Sequence, residues 1–211
     1  LLGLLTLKPQ LGLFFPLMLL AAREWRVIGA AALSSAAILG LSIALWGVEP
    51  WTAYLHEGLA TQSRVLSDQE VLAGPFMPTV FMNLRSAGVS VDLARIVQAA
   101  ASLIATGFIV SRFIRRPAAD DWGANALFLA ASVFGTPYLL SYDTLPLTAA
   151  MVFAMPMGTT GRMLLLGTYF LALLQMALGG LGIPGPALIP LLGMIYFWKQ
   201  PTSSTWVDQR N

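Results

Sequence analysis

The stretch that decides the fold is residues 27–47, VIGAAALSSAAILGLSIALWG, which carries no charged side chain. A helix needs about 20 apolar residues to cross the hydrocarbon core of a bilayer. Within the stretch, Ala32, Ala36 and Gly40 follow the small-xxx-small spacing that lets another membrane helix approach closely. The sequence therefore predicts a membrane-spanning helix here, packed against a neighbour.

The composition extends this interpretation to the whole chain. Of the 211 residues, 57% are hydrophobic and 10% are charged, and the mean hydropathy is +0.73. In soluble domains roughly a quarter of the residues are charged, which is well above the share in this chain. The chain is therefore predicted to be an integral membrane protein. A net charge of +2 is too small to indicate nucleic acid as a partner. With one histidine and no cysteine, we expect no metal site, no cofactor and no disulfide framework.

Polar punctuation divides the chain into about seven predicted membrane segments, an all-α multispanning helical bundle. The segments are 1–22, 27–47, 90–113, 122–140, 144–157, 163–181 and 186–198. A single transmembrane domain over 1–199 thus contains an outer loop at about 48–89 and precedes a polar tail at 200–211. Because the chain opens on Leu1 inside an apolar run, we expect it to be the C-terminal portion of a larger protein.

Basic residues give these segments a direction. They fall at every second connection, around Arg23, Arg112, Arg162 and Lys199, whereas the intervening turns near Asp143 and at 183–186 carry none. Cytoplasmic loops are enriched in lysine and arginine. This alternation predicts that the basic connections and the C-terminus are cytoplasmic, and that the outer loop is extracytoplasmic.

The outer loop and the segment ends carry helix signals of their own. Residues 51–69 are amphipathic, which predicts a helix on the outer membrane face with Pro50 in its first turn and His56 and Glu57 on its polar face. A short helix over 79–87 is expected to carry Arg85. The N-caps expected for the third and fourth segments are Ser90 and the pair Asp120-Asp121.

Lys8 is the first candidate for function, since it interrupts the apolar run of the first segment and precedes Pro9. A lysine at the centre of a membrane helix costs roughly 2.5 to 3.5 kcal/mol, so such a residue usually faces a cavity or a partner. Counting back from Arg23 at about 1.5 Å per residue places Lys8 about 20 Å away, in the outer half of the bilayer. Asp143, at the outer end of another segment, is expected to bind a sugar, to pair with Lys8 or to cap the fifth helix.

Three motifs resemble glycosyltransferase family 87, a family of polyprenol-phosphate-dependent, mannosyltransferase-like enzymes of the GT-C superfamily. They are Gly3-Leu4-Leu5-Thr6-Leu7-Lys8-Pro9-Gln10 with the following Pro16 and Arg23-Glu24-Trp25-Arg26, Met77-Pro78-Thr79-Val80-Phe81, and Thr136-Pro137-Tyr138-Leu139-Leu140-Ser141-Tyr142-Asp143. The resemblance extends to about Met157 and is to the C-terminal part of the family. It implies hexosyl or mannosyl transfer from a polyprenyl-phosphate sugar donor to a lipid or glycan acceptor, at the outer face of a bacterial-type plasma membrane.

The resemblance also gives the candidate residues roles. The main catalytic acid of such enzymes lies in a first outer loop, so we expect it upstream of residue 1 and expect this fragment alone to be inactive. Lys8 and Gln10 are expected on the donor phosphate, with Arg85 and Arg95 as further candidates, and His56, Glu57, Tyr142 and Asp143 on the sugar. Structural alternatives stay open: an internal pair for Lys8, lipid headgroups for the arginines and a solvated face for His56 and Glu57.

Two other functions remain possible at this stage. One is a non-catalytic membrane scaffold or lipid-binding remnant of the enzyme. The long outer loop favours the transferase over a plain scaffold. The other is a secondary transporter, which should show broken helices in both halves of the chain. Only the break at Lys8-Pro9 is evident in the sequence.

Overall fold

The computed structural model describes residues 8–58, 60–61, 64, 76–118, 120–154 and 158–200. Every regular element in this part of the chain is a helix, which confirms the predicted all-α class. Four of the elements have five residues or fewer, and the longer ones form the bundle.

Residues 8–22, the described part of the first predicted segment, contain two short helices. Helix α1 (Pro9–Gly12) has Pro9 in its first turn and Lys8 as its N-cap, and α2 (Phe15–Ala22) has Pro16 in its first turn. Proline has no backbone N–H and suits the start of a helix, where that donor has no partner. Pro16 therefore causes a second break that the prediction missed, and Lys8 lies outside any helix.

Helix α3 (Trp25–Trp46) confirms the predicted second span. None of its side chains is buried, and a Cβ added at Gly40 would have nothing within 4 Å. No part of the described chain therefore packs on the small-residue face of Ala32, Ala36 and Gly40, and the close helix neighbour that this spacing allows is not found among the described residues. Beyond α3 come α4 (Glu49–Ala53), with Pro50 in its first turn as predicted, and a π-helical turn at Tyr54–Gly58.

Only part of the predicted amphipathic helix over 51–69 can be compared with the structure. Residues 51–53 are α-helical and 54–58 are π-helical, while 59, 62–63 and 65–69 lie outside the described residues. His56 and Glu57 are exposed, as expected for the polar face. Trp51 Nε1 donates to Ser42 Oγ at 3.2 Å, so α4 folds back onto the end of α3.

The predicted short helix is α5 (Val80–Ser86), and its surroundings differ from the expectation. Thr79 caps it by accepting a hydrogen bond from the Met82 N–H at 3.2 Å. Met77, Phe81 and Met82 are each at most 5% exposed and form an apolar cluster with Ala94. The helix is therefore packed into the bundle and does not lie on a loop surface.

Helices α6 (Val91–Phe113) and α7 (Trp122–Gly135) form the centre of the bundle. Ser90 and Asp121 are their N-caps, as predicted, accepting from the N–H groups of Leu93 and Ala124. Helix α7 ends at Gly135 and not near Leu140, because Thr136 precedes a proline and is extended. The two helices are antiparallel, since Ser102 contacts Gly135 and Arg112 contacts Asp121.

The remaining helices surround α7 or adjoin it. They are α8 (Leu145–Ala154), α9 (Gly158–Tyr169), α10 (Leu171–Gly180) and α11 (Leu188–Trp198). The predicted single segment over 163–181 is instead α9 and α10, bent by 68° at Phe170. The second half of the chain thus has a broken helix that sequence patterning did not reveal.

By length and composition, α3 and α6 can each cross a membrane, and the bent pair α9–α10 would be a third span. Helices α7 and α11 are apolar but shorter. The described chain is therefore an apolar helical bundle with two to three candidate spans. Four side chains of α7, Ala126, Leu127, Ala130 and Ala131, are fully buried, which makes α7 the centre of the packing.

Candidate functional site

An ion pair joins the beginning of the described chain to the segment after α7. Lys8 Nζ contacts Asp143 Oδ1 across 135 positions of sequence. The Asp143 side chain is 4% exposed, whereas that of Lys8 is 29% exposed. The ammonium also lies 4.2 Å from the centre of the Tyr142 ring, within the range of a cation–π contact. The pairing of Lys8 with Asp143, one of the expected alternatives, is therefore present in the structure.

Irregular backbone on both sides positions this pair. Pro9 keeps Lys8 out of the helix, and a 3-10 turn at Ser141–Thr144 turns Asp143 back toward the bundle. Asp143 Oδ2 accepts a hydrogen bond from the Leu140 N–H at 3.0 Å, so the carboxylate is fixed by its own loop. The ammonium of Lys8 is the more exposed member of the pair. It has three N–H donors, of which Asp143 uses one.

The segments that carry two of the motifs also meet at this end. Ser141 Oγ donates to the Phe76 carbonyl at 2.8 Å. Tyr138 and Leu140 pack against the apolar cluster of Met77 and Phe81. The structure therefore brings the Lys8, Met77-Pro78-Thr79 and Thr136–Asp143 segments together in one place, which we call the Lys8 end of the bundle.

Gln98 links two of these segments beneath the ion pair. Its Oε1 accepts from the Phe81 N–H at 2.8 Å, and its Nε2 donates to the Gly135 carbonyl at 3.0 Å. The first and last turns of a helix leave backbone N–H and C=O groups without intrahelical partners. Gln98 provides a hydrogen-bond partner for such a group at the start of α5 and for another at the end of α7. The side chain of Gln98 is buried. Sequence reasoning missed this residue, although an isolated glutamine in an apolar helix was a usable signal.

A second buried amide pair ties α5 to α10. Asn83 Nδ2 donates to Gln175 Oε1 at 3.1 Å and to the Thr79 carbonyl at 2.9 Å. Asn83 is 2% exposed and Gln175 is fully buried. Sequence reasoning did not identify either residue. The short α5 is thus held by hydrogen bonds from α6 and α10 as well as by its apolar side chains.

The other predicted site residues lie around this centre at different distances from it. Gln10 is half-buried in α1, two positions after Lys8, while His56 and Glu57 lie on the exposed π-helical turn. Arg85 Nη1 donates to the Val89 carbonyl at 2.7 Å, and Arg95 Nη1 lies 3.8 Å from Asp92 Oδ1 on the surface. Among the predicted site residues, the structure therefore brings Lys8, Tyr142 and Asp143 together and places the others apart from them. No group of three or more His, Asp or Glu side chains in the described residues could hold a metal ion.

The opposite end of the bundle contains a second ion pair, which we call the Arg112 end. Arg112 Nη2 lies 3.1 Å from Asp121 Oδ2, and their side chains are 4% and 2% exposed. Arg112 Nη1 donates to the Gln200 carbonyl just beyond α11. Asp121 therefore binds an arginine in addition to its predicted capping role, and Asp120 is an exposed residue before it.

The comparison with protein families identifies the chain. The model of glycosyltransferase family 87 matches residues 1–141. The chain belongs to this family. The match includes Lys8, the Met77-Pro78-Thr79 segment and the loop up to Ser141, and it ends before Tyr142 and Asp143, earlier than the expected end near Met157. No curated protein and no solved structure matched the chain.

Membership in family 87 sets the general function. The family is one of glycosyltransferases, so its substrates are a sugar donor and an acceptor. The apolar helices α3 and α6 associate this family 87 chain with a membrane. Within the described structure, the family motifs meet at the Lys8 end.

Proposed function

We propose that the chain is part of a membrane hexosyltransferase that moves a sugar, mannose in the first instance, from a polyprenyl-phosphate donor to a lipid or glycan acceptor. The observation that carries the proposal is the partly exposed Lys8 ammonium, held by Asp143 where the family motifs meet. In this proposal Lys8 binds the donor phosphate. Gln10 and Arg85 assist it, and Tyr142, His56 and Glu57 contact the sugar.

The chemistry of transfer needs a cation at this place. The bond between the anomeric carbon and the phosphate oxygen breaks while the acceptor oxygen bonds to that carbon, and negative charge grows on the departing phosphate. A positioned cation stabilises that charge most where water is excluded. The proton of the acceptor hydroxyl passes to a general base outside the Lys8 cluster. Asp143 keeps the ammonium in place and leaves its other donors for the phosphate.

We further propose that the Lys8 end is extracytoplasmic, that the Arg112 end is cytoplasmic, and that about seven segments cross or enter the membrane. The distribution of exposed charge supports this orientation. The Arg112 end carries the basic connections, and arginine and lysine near membrane segments favour the cytoplasmic side. Trp25 and Trp46, at the two ends of α3, are both well exposed and suit the two membrane interfaces.

The ion pair also fits a purely structural role for Lys8, as in a non-catalytic scaffold. A transporter receives less support, because the second broken helix, at Phe170, has no charged side chain at its bend. The following experiment separates the transferase from the scaffold.

The test replaces Lys8 in the full-length protein and measures sugar transfer from polyprenyl-phosphate mannose in membranes. Lys8→Met should abolish transfer while the protein still inserts into the membrane, and its unfolding temperature should fall because the buried Asp143 carboxylate loses its cation. Lys8→Arg keeps the positive charge and should retain part of the activity. Full transfer by Lys8→Met would exclude the phosphate-binding role.

The orientation has its own test, because the chain has no cysteine of its own. Ala87→Cys and Ala118→Cys place single thiols at exposed positions on the two sides. In intact cells, a membrane-impermeant thiol reagent should label the first variant only. Labelling of the Ala118→Cys variant alone would reverse the proposed orientation.

A further inference from the structure

Six exposed cations gather at the Arg112 end of the bundle. Lys8 contacts Asp143 at the opposite end, and Phe15 contacts Phe128 in the middle of α7. The chain therefore runs toward the Arg112 end, where α2 ends. The stacked rings of Trp122 and Phe153 bring the end of α8, and hence the start of α9, to the same place. The exposed cations of this end are Arg23, Arg26, Arg115, Arg116, Arg162 and Lys199.

Few acidic side chains balance this charge. The acids nearest to these cations in sequence are Glu24, Asp120 and Asp121. Asp121 is buried and already pairs with Arg112. The exposed surface of this end therefore carries more positive than negative charge. At the opposite end the exposed acids Glu49, Glu57 and Asp92 are accompanied by the exposed arginines Arg64 and Arg95, so the charges nearly balance.

The backbone at two of the arginines is unusual. Arg23 has a φ of 57° and Arg116 a φ of 50°, and every other residue of positive φ in the described chain is a glycine. The left-handed conformation brings Cβ too close to the following carbonyl oxygen, and glycine avoids this cost at the end of a helix. Arg23 ends α2, and Arg116 follows α6 by three residues. Both arginines therefore occupy positions where glycine would suit the backbone better.

The positions and the charge together suggest what this surface contacts. Exposed indoles of Trp25, Trp122 and Trp198 lie at the same end, as is typical of residues at a membrane interface. A guanidinium presents a planar fork of donors that matches a phosphate. Anionic lipid headgroups attract basic residues that lie near a membrane surface.

We propose that the cationic end binds the headgroups of anionic phospholipids, with Arg23 and Arg116 as specific contacts, and that this binding stabilises the protein. The inference is independent of the sugar-transfer reaction. In an anionic bilayer the two arginines should stabilise the protein by binding headgroups. In a neutral bilayer this binding is lost, and only the cost of their left-handed backbone conformation remains.

The test uses the full 211-residue chain in bilayer nanodiscs of phosphatidylcholine alone or mixed with phosphatidylglycerol, and measures the unfolding midpoint by tryptophan fluorescence. The wild-type midpoint should rise by several degrees with phosphatidylglycerol, and added salt should reduce this rise. The variant Arg23→Gly/Arg116→Gly should unfold at or above the wild-type temperature in phosphatidylcholine and should lose most of the rise.

Two controls keep the interpretation specific. Arg95→Gln removes an exposed arginine at the opposite end and should leave the rise unchanged. Arg23→Lys/Arg116→Lys keeps the charges and should retain part of it. A full rise in the glycine variant, no rise in the wild type, or an equal rise with inorganic phosphate in neutral nanodiscs would each overturn the proposal. So would equal destabilisation of the glycine variant in both lipid mixtures.

Discussion

The two ends of the bundle each contain an ion pair, and the two pairs are built differently. Arg112 lies on α6 and Asp121 is the N-cap of α7. Both side chains are almost fully buried and make further hydrogen bonds to backbone groups. Lys8 precedes α1 and Asp143 lies in the 3-10 turn, and the lysine is 29% exposed. The first pair is enclosed by protein, whereas the second has one partly exposed member.

The difference indicates which of the two ion pairs can take part in binding a substrate. An enclosed ion pair has no room for a third group, and removing one partner leaves a buried charge. The Lys8 pair is surrounded by segments that end or begin helices, and buried amides such as Gln98 supply the hydrogen bonds that these segments lack. Irregular backbone at membrane depth is tolerated only where protein or a water-filled cavity surrounds it.

The largest effect should come from breaking the enclosed pair. Arg112→Leu leaves Asp121 buried without its cation, and we expect a loss of about 3 to 5 kcal/mol in the free energy of unfolding. Thermal or denaturant unfolding in mild detergent would measure it. In the double variant Arg112→Met/Asp121→Asn, the charge is absent and the cap remains, so most of the stability should return. A single variant as stable as the wild type would show that the pair is not enclosed.

An intermediate effect is expected at the amide beneath the Lys8 pair. Gln98→Leu fills a similar volume but leaves the Phe81 N–H and the Gly135 carbonyl without a partner, which should cost about 1 to 3 kcal/mol. The same unfolding assay applies. Ser111→Ala, a half-buried position on the same helix near the Arg112 end, is the control and should cost less. Equal stability of the Gln98→Leu protein would contradict the bridging role.

The sequence predicted best those elements whose signals are local. The apolar runs of α3 and α6 and the caps at Ser90 and Asp121 are each defined within a few residues, and the structure contains them. Family motifs also pointed to Lys8 and Asp143, and the structure shows that the two are paired. These parts needed no knowledge of distant contacts.

Other features depend on contacts between distant segments, and sequence patterns missed them. Arg112 was predicted only as one of the basic residues of a cytoplasmic connection, and sequence patterns gave no sign of its burial. It is 4% exposed because the groups before α7 and at the end of α11 bind it. The bend at Phe170 follows no proline, and near it Thr148 Oγ1 of α8 donates to the Thr168 carbonyl at 3.3 Å. Burial of α5 likewise depends on Gln98 and Gln175, which come from two other helices.

The smallest effect on stability, and the most direct test of the central claim, comes from removing both charges of the Lys8 pair. The double variant Lys8→Met/Asp143→Asn in the full-length protein leaves no buried charge unpaired and keeps an oxygen acceptor for the Leu140 N–H, so its free energy of unfolding should stay close to that of the wild type. If Lys8 binds the donor phosphate, this variant should be folded and should transfer no sugar from polyprenyl-phosphate mannose. A folded variant that transfers sugar at the wild-type rate would contradict the account and leave the pair a structural role only.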